Sequence, residues 1–302
     1  MSMLKEDALW PRASAWLQPA EVDRDYDLGL FGIPAHLTSI SPTNAHTTPA
    51  AIRAALQRYS TYNWTTETDV SALSFADFGD VFEPDSVAGE ARTSQLAAEL
   101  AKRVGLSIGV GGDNSVTLAM ARGAFGAKVA SAGLITLDAH HDLRDGISNG
   151  SPVRRLVDEI GLEGRRIVQI GIADFSNSPA YAARARDLGI HVIPRSVLRE
   201  RGIAEVMAEA VSIAGAAGGP IHVDFDVDVC DRSVVPACPA AAPGGISADE
   251  FRQFAFQAGR YSQVRSVDFT EIDASIDSAD GRTVRLAALA ILELAAGRLS
   301  TN

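Results

Sequence analysis

Seven short, almost unbroken apolar runs recur along the chain, at residues 28–33, 106–110, 132–137, 167–172, 190–193, 221–227 and 264–269. Near-continuous hydrophobicity over so few residues fits strands covered on both faces. Helical segments of about 10–15 residues separate them, as parallel α/β proteins require. These are 49–59, 93–104, 115–124, 179–188, 204–214, 248–260 and 282–296, with Pro49 in a first turn, where its missing N–H costs nothing. The expected fold class is therefore α/β. One three-layer domain would span 1–302, with a mostly parallel central sheet of about eight strands and helices on both faces. Residues 1–25 are expected to form an irregular N-terminal extension. The Gly/Ala stretch 214–219 reads as a helix-to-strand turn, not a linker. Such sheets bind ligands at the carboxyl ends of their strands.

Two strand ends carry acids. Asp138-Ala139-His140-His141-Asp142 follows the third run, and Asp224-Phe225-Asp226-Val227-Asp228-Val229-Cys230-Asp231 closes the sixth. In an extended segment Asp138, His140 and Asp142 point the same way, and the carboxylates of the second cluster share the face opposite Val223, Phe225 and Val227. Buried together, such carboxylates repel one another and are costly to ionise; divalent cations remove the conflict. One acidic turn alone is as readily a solvated helix cap. Two clusters interleaved with apolar strand residues, one holding a His, favour metal. Carboxylate and imidazole suit manganese, iron, nickel or zinc. Two cations held roughly 3.5–4 Å apart would activate one shared hydroxide.

Bulk properties narrow the partners. A formal net charge of −11 argues against nucleic acid. The N-terminus mixes Lys5, Glu6 and Asp7 into any apolar run and resembles no signal peptide, and 210–223 is too short to span a bilayer. Cys230 and Cys238 match no zinc spacing and read as plain buried thiols. A cytoplasmic protein acting on a small molecule, away from membranes, is expected.

The clusters resemble the motifs of the ureohydrolase family of arginases, agmatinases and formimidoylglutamases. Asp138 to Asp142 resembles its D-A-H-x-D signature, and Asp226-Val227-Asp228-Val229-Cys230-Asp231 with Pro236 and Gly244-Gly245-Ile246 its D-x-D-x-x-D…P…G-G-[LI] segment. Gly111-Gly112-Asp113-Asn114-Ser115 resembles G-G-D-H-S, Asp268-Phe269-Thr270-Glu271 the late D-x-x-E, and Pro49-Ala50-Ala51-Ile52-Arg53 G-P-x-A-I-R. The matches keep the family's order from about residue 32 onward. The resemblance implies an arginase-like fold, two divalent metal ions, most simply Mn2+, and a homo-oligomer, trimer or hexamer. It implies that Asp138 and Asp226 bridge the metals, that His140 and Asp228 complete one site, and that Asp142 serves the other. Asn114 stands at a position usually held by a ligating His, so that site would be weakened. Glu271 would accept hydrogen bonds from the amidine nitrogens, and Asp142 or solvent would protonate the leaving amine. Asp224 has no counterpart and is expected behind the ligands or on the surface.

A second departure is Asn149, where related enzymes place a proton-shuttling His. Formimidoylglutamase-like members share this feature: Ser148 to Arg154 is similar to their [ST]-[SN]-G-[ST]-P-x-R, Asp138 to Arg144 to D-A-H-x-D-x-R, and Phe175-Ser176-Asn177 to [YF]-S-N. The late Asp280-Gly281-Arg282-Thr283 with Arg285-Leu286-Ala287 is similar to their D-G-x-T-x-R-L-A. Formimidoylglutamate has two carboxylates, which arginines bind well. Arg144, Asn149, Ser151 and Arg154 are thus candidate substrate-binding residues with Glu271, and Arg155 is a further arginine of this run; for Arg154 and Arg155 a solvated helix face is equally consistent. The alternatives are a urea-releasing agmatinase, arginase or guanidino-acid hydrolase, and a catalytically silent homologue motivated by Asn114 and Asn149. Gly105-Leu106-Ser107-Ile108-Gly109 matches a nucleophile elbow only in letters, because Ser107 sits inside a strand-like run. His46 reads as a surface residue, and His141, His191 and His222 as structural.

Overall fold

The structure is a computed structural model and describes residues 7–300. Its first part carries β1 (Gln18–Pro19), β2 (Tyr26–Ile33), α1 (Thr48–Ala55), β3 (Tyr62–Asn63), β4 (Thr68–Asp69) and β5 (Phe75–Asp80). Next come α2 (Val87–Arg103), β6 (Val104–Gly111), α3 (Val116–Phe125), β7 (Gly133–Leu137) and α4 (Pro152–Ile160). They are followed by β8 (Ile167–Ile172), α5 (Pro179–Asp187), β9 (His191–Pro194), α6 (Ile203–Ala214) and β10 (Ile221–Asp226). The last elements are α7 (Ala248–Arg260), β11 (Val264–Thr270) and α8 (Arg282–Leu299).

Nine strands form one sheet in the order β1-β5-β2-β6-β11-β10-β7-β8-β9, with every neighbouring pair parallel. β3 and β4 make a small antiparallel hairpin outside it. Helices α1, α6, α7 and α8 bury one face, and α2 to α5 the other. All seven expected strands are present. The sheet is one strand wider than expected, and two of its strands come from segments without an apolar run. β5 reads Phe-Ala-Asp-Phe-Gly-Asp, and β1 is a two-residue edge strand within 1–25, beside a 3-10 turn at Ala13–Ala15. Two helices also differ. α4 was not expected, and α2 begins at Val87, where Ser86 Oγ accepts the Gly89 N–H at 2.9 Å as an N-cap.

The chain passes from β6 to β7 while leaving room for β11 and β10, which arrive later and fill the gap. Four strand ends, those of β6, β11, β10 and β7, therefore lie side by side where the strand order reverses. The two faces there differ in chemistry. Toward α6, α7 and α8, strands β10 and β11 present Val223, Phe225, Val267 and Phe269, and the Phe225 ring lies 5.6 Å from Phe251 of α7 and 5.1 Å from Phe269. Toward α3, the same strands present His222, Asp224 and Asp226 beside Ser266, Asp268 and Thr270, all buried.

The aromatic cluster anchors the sheet from the side away from the acids. Replacing Phe251 with Ala should lower unfolding free energy by about 3–5 kcal/mol, read from urea unfolding in the presence of a chelator. A loss below about 1 kcal/mol would show that the cluster does not hold the sheet to α7.

Candidate metal centre

Backbone geometry brings the acids together at the four central strand ends. Asp226 is the last residue of β10, and Asp228 lies in the 3-10 turn that follows it. Asp226 Oδ1 accepts the Asp228 N–H at 2.8 Å, and Asp228 Oδ1 accepts the Ala139 N–H at 2.8 Å, which ties β10 to the loop after β7. Asp138 Oδ1 accepts the His140 N–H at 2.6 Å. His140 turns its ring inward, with Nδ1 2.7 Å from Asp228 Oδ2 and 3.5 Å from Asp138 Oδ1. His141 turns the other way, its Nδ1 2.7 Å from Gln169 Oε1, and is structural as expected.

Asp142 and Glu271 are both held in the left-handed region, at φ 52° and 62°, where a non-glycine residue costs about 1–3 kcal/mol. Glu271 is fixed by its neighbours. Its N–H donates to Gly112 O at 2.9 Å, and its Oε1 accepts the Asn114 N–H at 2.7 Å and Asn149 Nδ2 at 2.9 Å. The loop carrying Asn114 passes so close to the chain after β2 that a Cβ on Gly112 would sit 1.6 Å from Ala35 O, so only glycine fits. Asn114 Nδ2 donates to Asp142 Oδ2 at 2.6 Å, and its Oδ1 accepts the hydroxyls of Thr117 and Thr270, each at 2.9 Å.

Burial decides the electrostatics. It drives Asp138 and Asp226 well above the usual carboxylate range, and neighbouring carboxylates push them further. Burial raises Asp142 to about 7, against the opposing pull of His140, and raises Glu271 to about 8 with help from Asp113. Burial also disfavours the His140 cation, yet the hydrogen bond and charge of Asp228 outweigh it and hold His140 at about 9. Asp228 is lowered despite its burial, because it bonds to His140. Most of these acids therefore prefer a proton in the protein alone, which is the signature of a cation site.

The donor set fits such ions. Asp138, His140 and Asp228 offer ligand atoms within 4.8 Å of one another. Asp138 Oδ2 is buried and has no hydrogen-bond partner among the described residues, a cost that a cation would remove. A cavity of about 460 Å3 opens above the cluster, lined by His140, Asp142, Asp226, Asp228 and Glu271 at its floor and by Arg144, Asn149, Gly150, Ser178 and Tyr181 around them. A groove of about 500 Å3 between the β3–β4 hairpin and helices α7 and α8 holds none of the clustered acids.

Of the expected substrate-binding residues, Arg144, Asn149 and Glu271 line this cavity. Ser151 and Arg154 do not. Ser151 is buried, and its hydroxyl bonds within its own turn to Ser148 N and O; Arg154 binds Arg144 O, Gly146 O and Asp158. Arg155 is also turned away, buried between Glu90 and Glu159. Asp224 is not a surface acid: it is fully buried behind Asp226, 3.5 Å from Thr270 Oγ1. Thr117 and Thr270, which hold Asn114, were missed. The polar alternation Ser266, Asp268, Thr270 inside an otherwise apolar run was the available signal.

Comparison with known proteins gives the family. The sequence profile of the arginase family matches residues 26–297. A formimidoylglutamase of Halalkalibacterium halodurans is 34% identical over 295 residues, covering 95% of this chain and 92% of the relative. The crystal structure of formimidoylglutamase from Bacillus subtilis superimposes with a TM-score of 0.91 at 29% identity, covering 98% of this chain and 94% of that one. Formiminoglutamase of Trypanosoma cruzi, solved with Mn2+2, gives a TM-score of 0.87 at 25% identity, covering 97% of this chain and 100% of that one. With the profile spanning nearly the whole chain and the acids gathered at the central strand ends, this protein belongs to the arginase family.

Proposed function

We propose that this chain hydrolyses formimidoylglutamate to formamide and glutamate with two manganese ions. The observation that carries this reading is the cavity itself, with buried acids at its floor and Arg144 free at its wall. Similarity over nearly full length to formimidoylglutamases supports the same substrate. The expected ligands are Asp138, His140, Asp142, Asp226 and Asp228. Asn114 would join them only after its amide turns over, when the hydroxyls of Thr117 and Thr270 would accept from Nδ2 instead.

When bound, the two cations lower the pKa of water and neutralise negative charge that develops during attack. The protein's own groups handle the rest. Glu271, locked by Asn114 and Asn149, accepts hydrogen bonds from the planar amidinium and orients it. Water oxygen bonds to the amidine carbon, the bond from that carbon to the glutamate nitrogen breaks, and the departing amine takes up a proton. Asp142 or solvent are the candidate donors, since Asn149 cannot titrate. Arg144 meets a substrate carboxylate. The same reading makes the chain a cytoplasmic homo-oligomer. Two buried free thiols suit a reducing compartment, and no helix among the described residues is long and apolar enough to cross a membrane.

Three outcomes test the reading. Asp226→Ala should abolish both manganese binding and turnover, as measured by metal analysis and formamide release; an active Asp226→Ala protein would sink the two-metal assignment. Asn114→His should slow manganese loss during dialysis against a chelator, and unchanged loss would show that position 114 does not face a metal. The third is a pH dependence. Asp142, Glu271 and His140 lie above their ordinary values, at about 7, 8 and 9, so their contribution to metal-free stability is present at low pH and lost as pH rises through those values. The melting temperature of chelated protein should therefore fall between about pH 6 and pH 9, and manganese should flatten the fall. A chelated protein equally stable at both ends would contradict the electrostatics of the site.

A further inference from the structure

Arg144 has the chemistry to bind one carboxylate, yet formimidoylglutamate, the substrate read above, carries two. The remaining arginines of the same segment, Arg154 and Arg155, are committed elsewhere. The second anchor therefore has to come from another part of the cavity wall, and of the helices α5 is the one that lines it. Tyr181 in the first turn of α5 lines the cavity, and its hydroxyl has no hydrogen-bond partner among the described residues.

One turn further along the helix, Arg184 faces back toward the loop after Asp142. Its guanidinium lies 5.7 Å from the centroid of the Tyr181 ring. Arg184 Nη1 donates to Leu143 O at 2.7 Å and to Asp145 Oδ1 at 2.9 Å. Those two partners flank Arg144 in the chain. Arg184 thus pins the backbone on one side of Arg144 and occupies the carboxylate on the other. Arg144 forms no ion pair within 4 Å among the described residues, though its charge is felt by Asp142; its stem crosses Gly150, where a Cβ would come within 2.7 Å of Arg144 Cδ. Asp145 adjoins Arg144 in sequence; without Arg184 it would lose its ion-pair partner and compete with the substrate for the Arg144 guanidinium.

We propose that α5 completes the substrate-binding rim: Tyr181 donates a hydrogen bond to one substrate carboxylate, and Arg184 is a positioning residue that keeps Arg144 free for the other. This rests on the formimidoylglutamate reading. Arg184 acts through its neighbours and touches no reacting atom. The arrangement also explains how a single free arginine can serve a dianionic substrate at a site whose floor is acidic. The two anchors stand on different elements and meet opposite ends of the glutamate portion, away from the carboxylates below.

The test uses the full chain loaded with manganese. Tyr181→Phe removes only the hydroxyl and should raise KM for formimidoylglutamate by about tenfold, with kcat changed less than about threefold. Arg184→Ala should raise the same KM by about fivefold or more, and Arg184→Lys should recover part of it. The discriminating variant is Arg184→Ala combined with Asp145→Asn: removing the competing carboxylate should restore affinity, which no loss of a merely structural ion pair would do. N-methylformamidine, an amidine without carboxylates, should be hydrolysed alike by all of them. L-glutamate binding by calorimetry provides a readout apart from turnover and should weaken in parallel with KM. Unchanged KM and glutamate affinity in Tyr181→Phe and Arg184→Ala would overturn the proposal, as would failure of Asp145→Asn to rescue. If the parent protein neither hydrolyses formimidoylglutamate nor binds L-glutamate, the functional reading fails and this one falls with it.

Discussion

Seven carboxylates, those of Asp138, Asp142, Asp224, Asp226, Asp228, Asp268 and Glu271, are packed at or just below the ends of four adjacent strands, none more than 7% exposed. Their mutual repulsion in a buried region is the force the rest of the structure has to contain. Hydrogen bonds do part of it. Backbone N–H groups of Ala139, His140, Asn114 and Asp228 each donate to one of these carboxylates. His140 adds a positive charge beside Asp228. Orphaned oxygens remain on Asp138, Asp224 and Asp268, so the protein alone leaves the compensation incomplete. Cations finish it.

Containment also depends on the far side of the sheet. A parallel strand buried on both faces can carry polar residues on one of them only if the other supplies enough apolar packing. β10 and β11 do this residue by residue: His222, Asp224 and Asp226 alternate with Val223 and Phe225, and Ser266, Asp268 and Thr270 with Val267 and Phe269. Parallel register sets Asp224 beside Asp268 and Asp226 beside Thr270. A slip of one residue would exchange the two faces and drive the acids into the phenylalanine cluster, so burial fixes register as firmly as the ladder does. His222 belongs to the same scheme, with Nδ1 2.7 Å from Ser266 Oγ and Nε2 3.2 Å from Asp268 Oδ2.

This two-faced pattern explains what the sequence disclosed and what it concealed. The central strands announced themselves because even their polar face is interrupted by large apolar residues. β5 did not, because at the sheet's margin Asp77 and Asp80 turn outward to pair with Arg53, which leaves no apolar run to notice. α4 was hidden by a similar trade: its charged residues Arg154, Arg155, Asp158 and Glu159 bond among themselves and to neighbours, so only Val153 and Leu156 mark its buried side. The acids of the metal centre were legible since each lies next to a strand end within one short motif. Tyr181, which lines the cavity, and Arg184, which bonds the loop beside it, were not, because they approach from a helix some forty positions downstream of the Asp138 motif, and local spacing carries no trace of that approach.

Both positions where the family resemblance leads one to expect histidine hold asparagine, and the structure gives the two amides related work. Asn149 donates through Nδ2 to Glu271; Asn114 donates through its backbone to Glu271 and through Nδ2 to Asp142. An imidazole at position 149 would donate to Glu271 in only one tautomer or in its cationic form, whereas the backbone N–H of residue 114 donates to Glu271 whatever its side chain. An amide N–H donates at every pH. The exchange gives up a titrating shuttle and a strong ligand, and it secures a fixed orientation for the group that must face a planar amidinium. For a substrate whose leaving group becomes an ordinary α-amine, basic enough to take a proton from water or from a neighbouring carboxyl, that loss is tolerable. Orientation is the demand that water cannot meet, and the Asn149 amide serves it at Glu271 while the Asn114 amide holds Asp142.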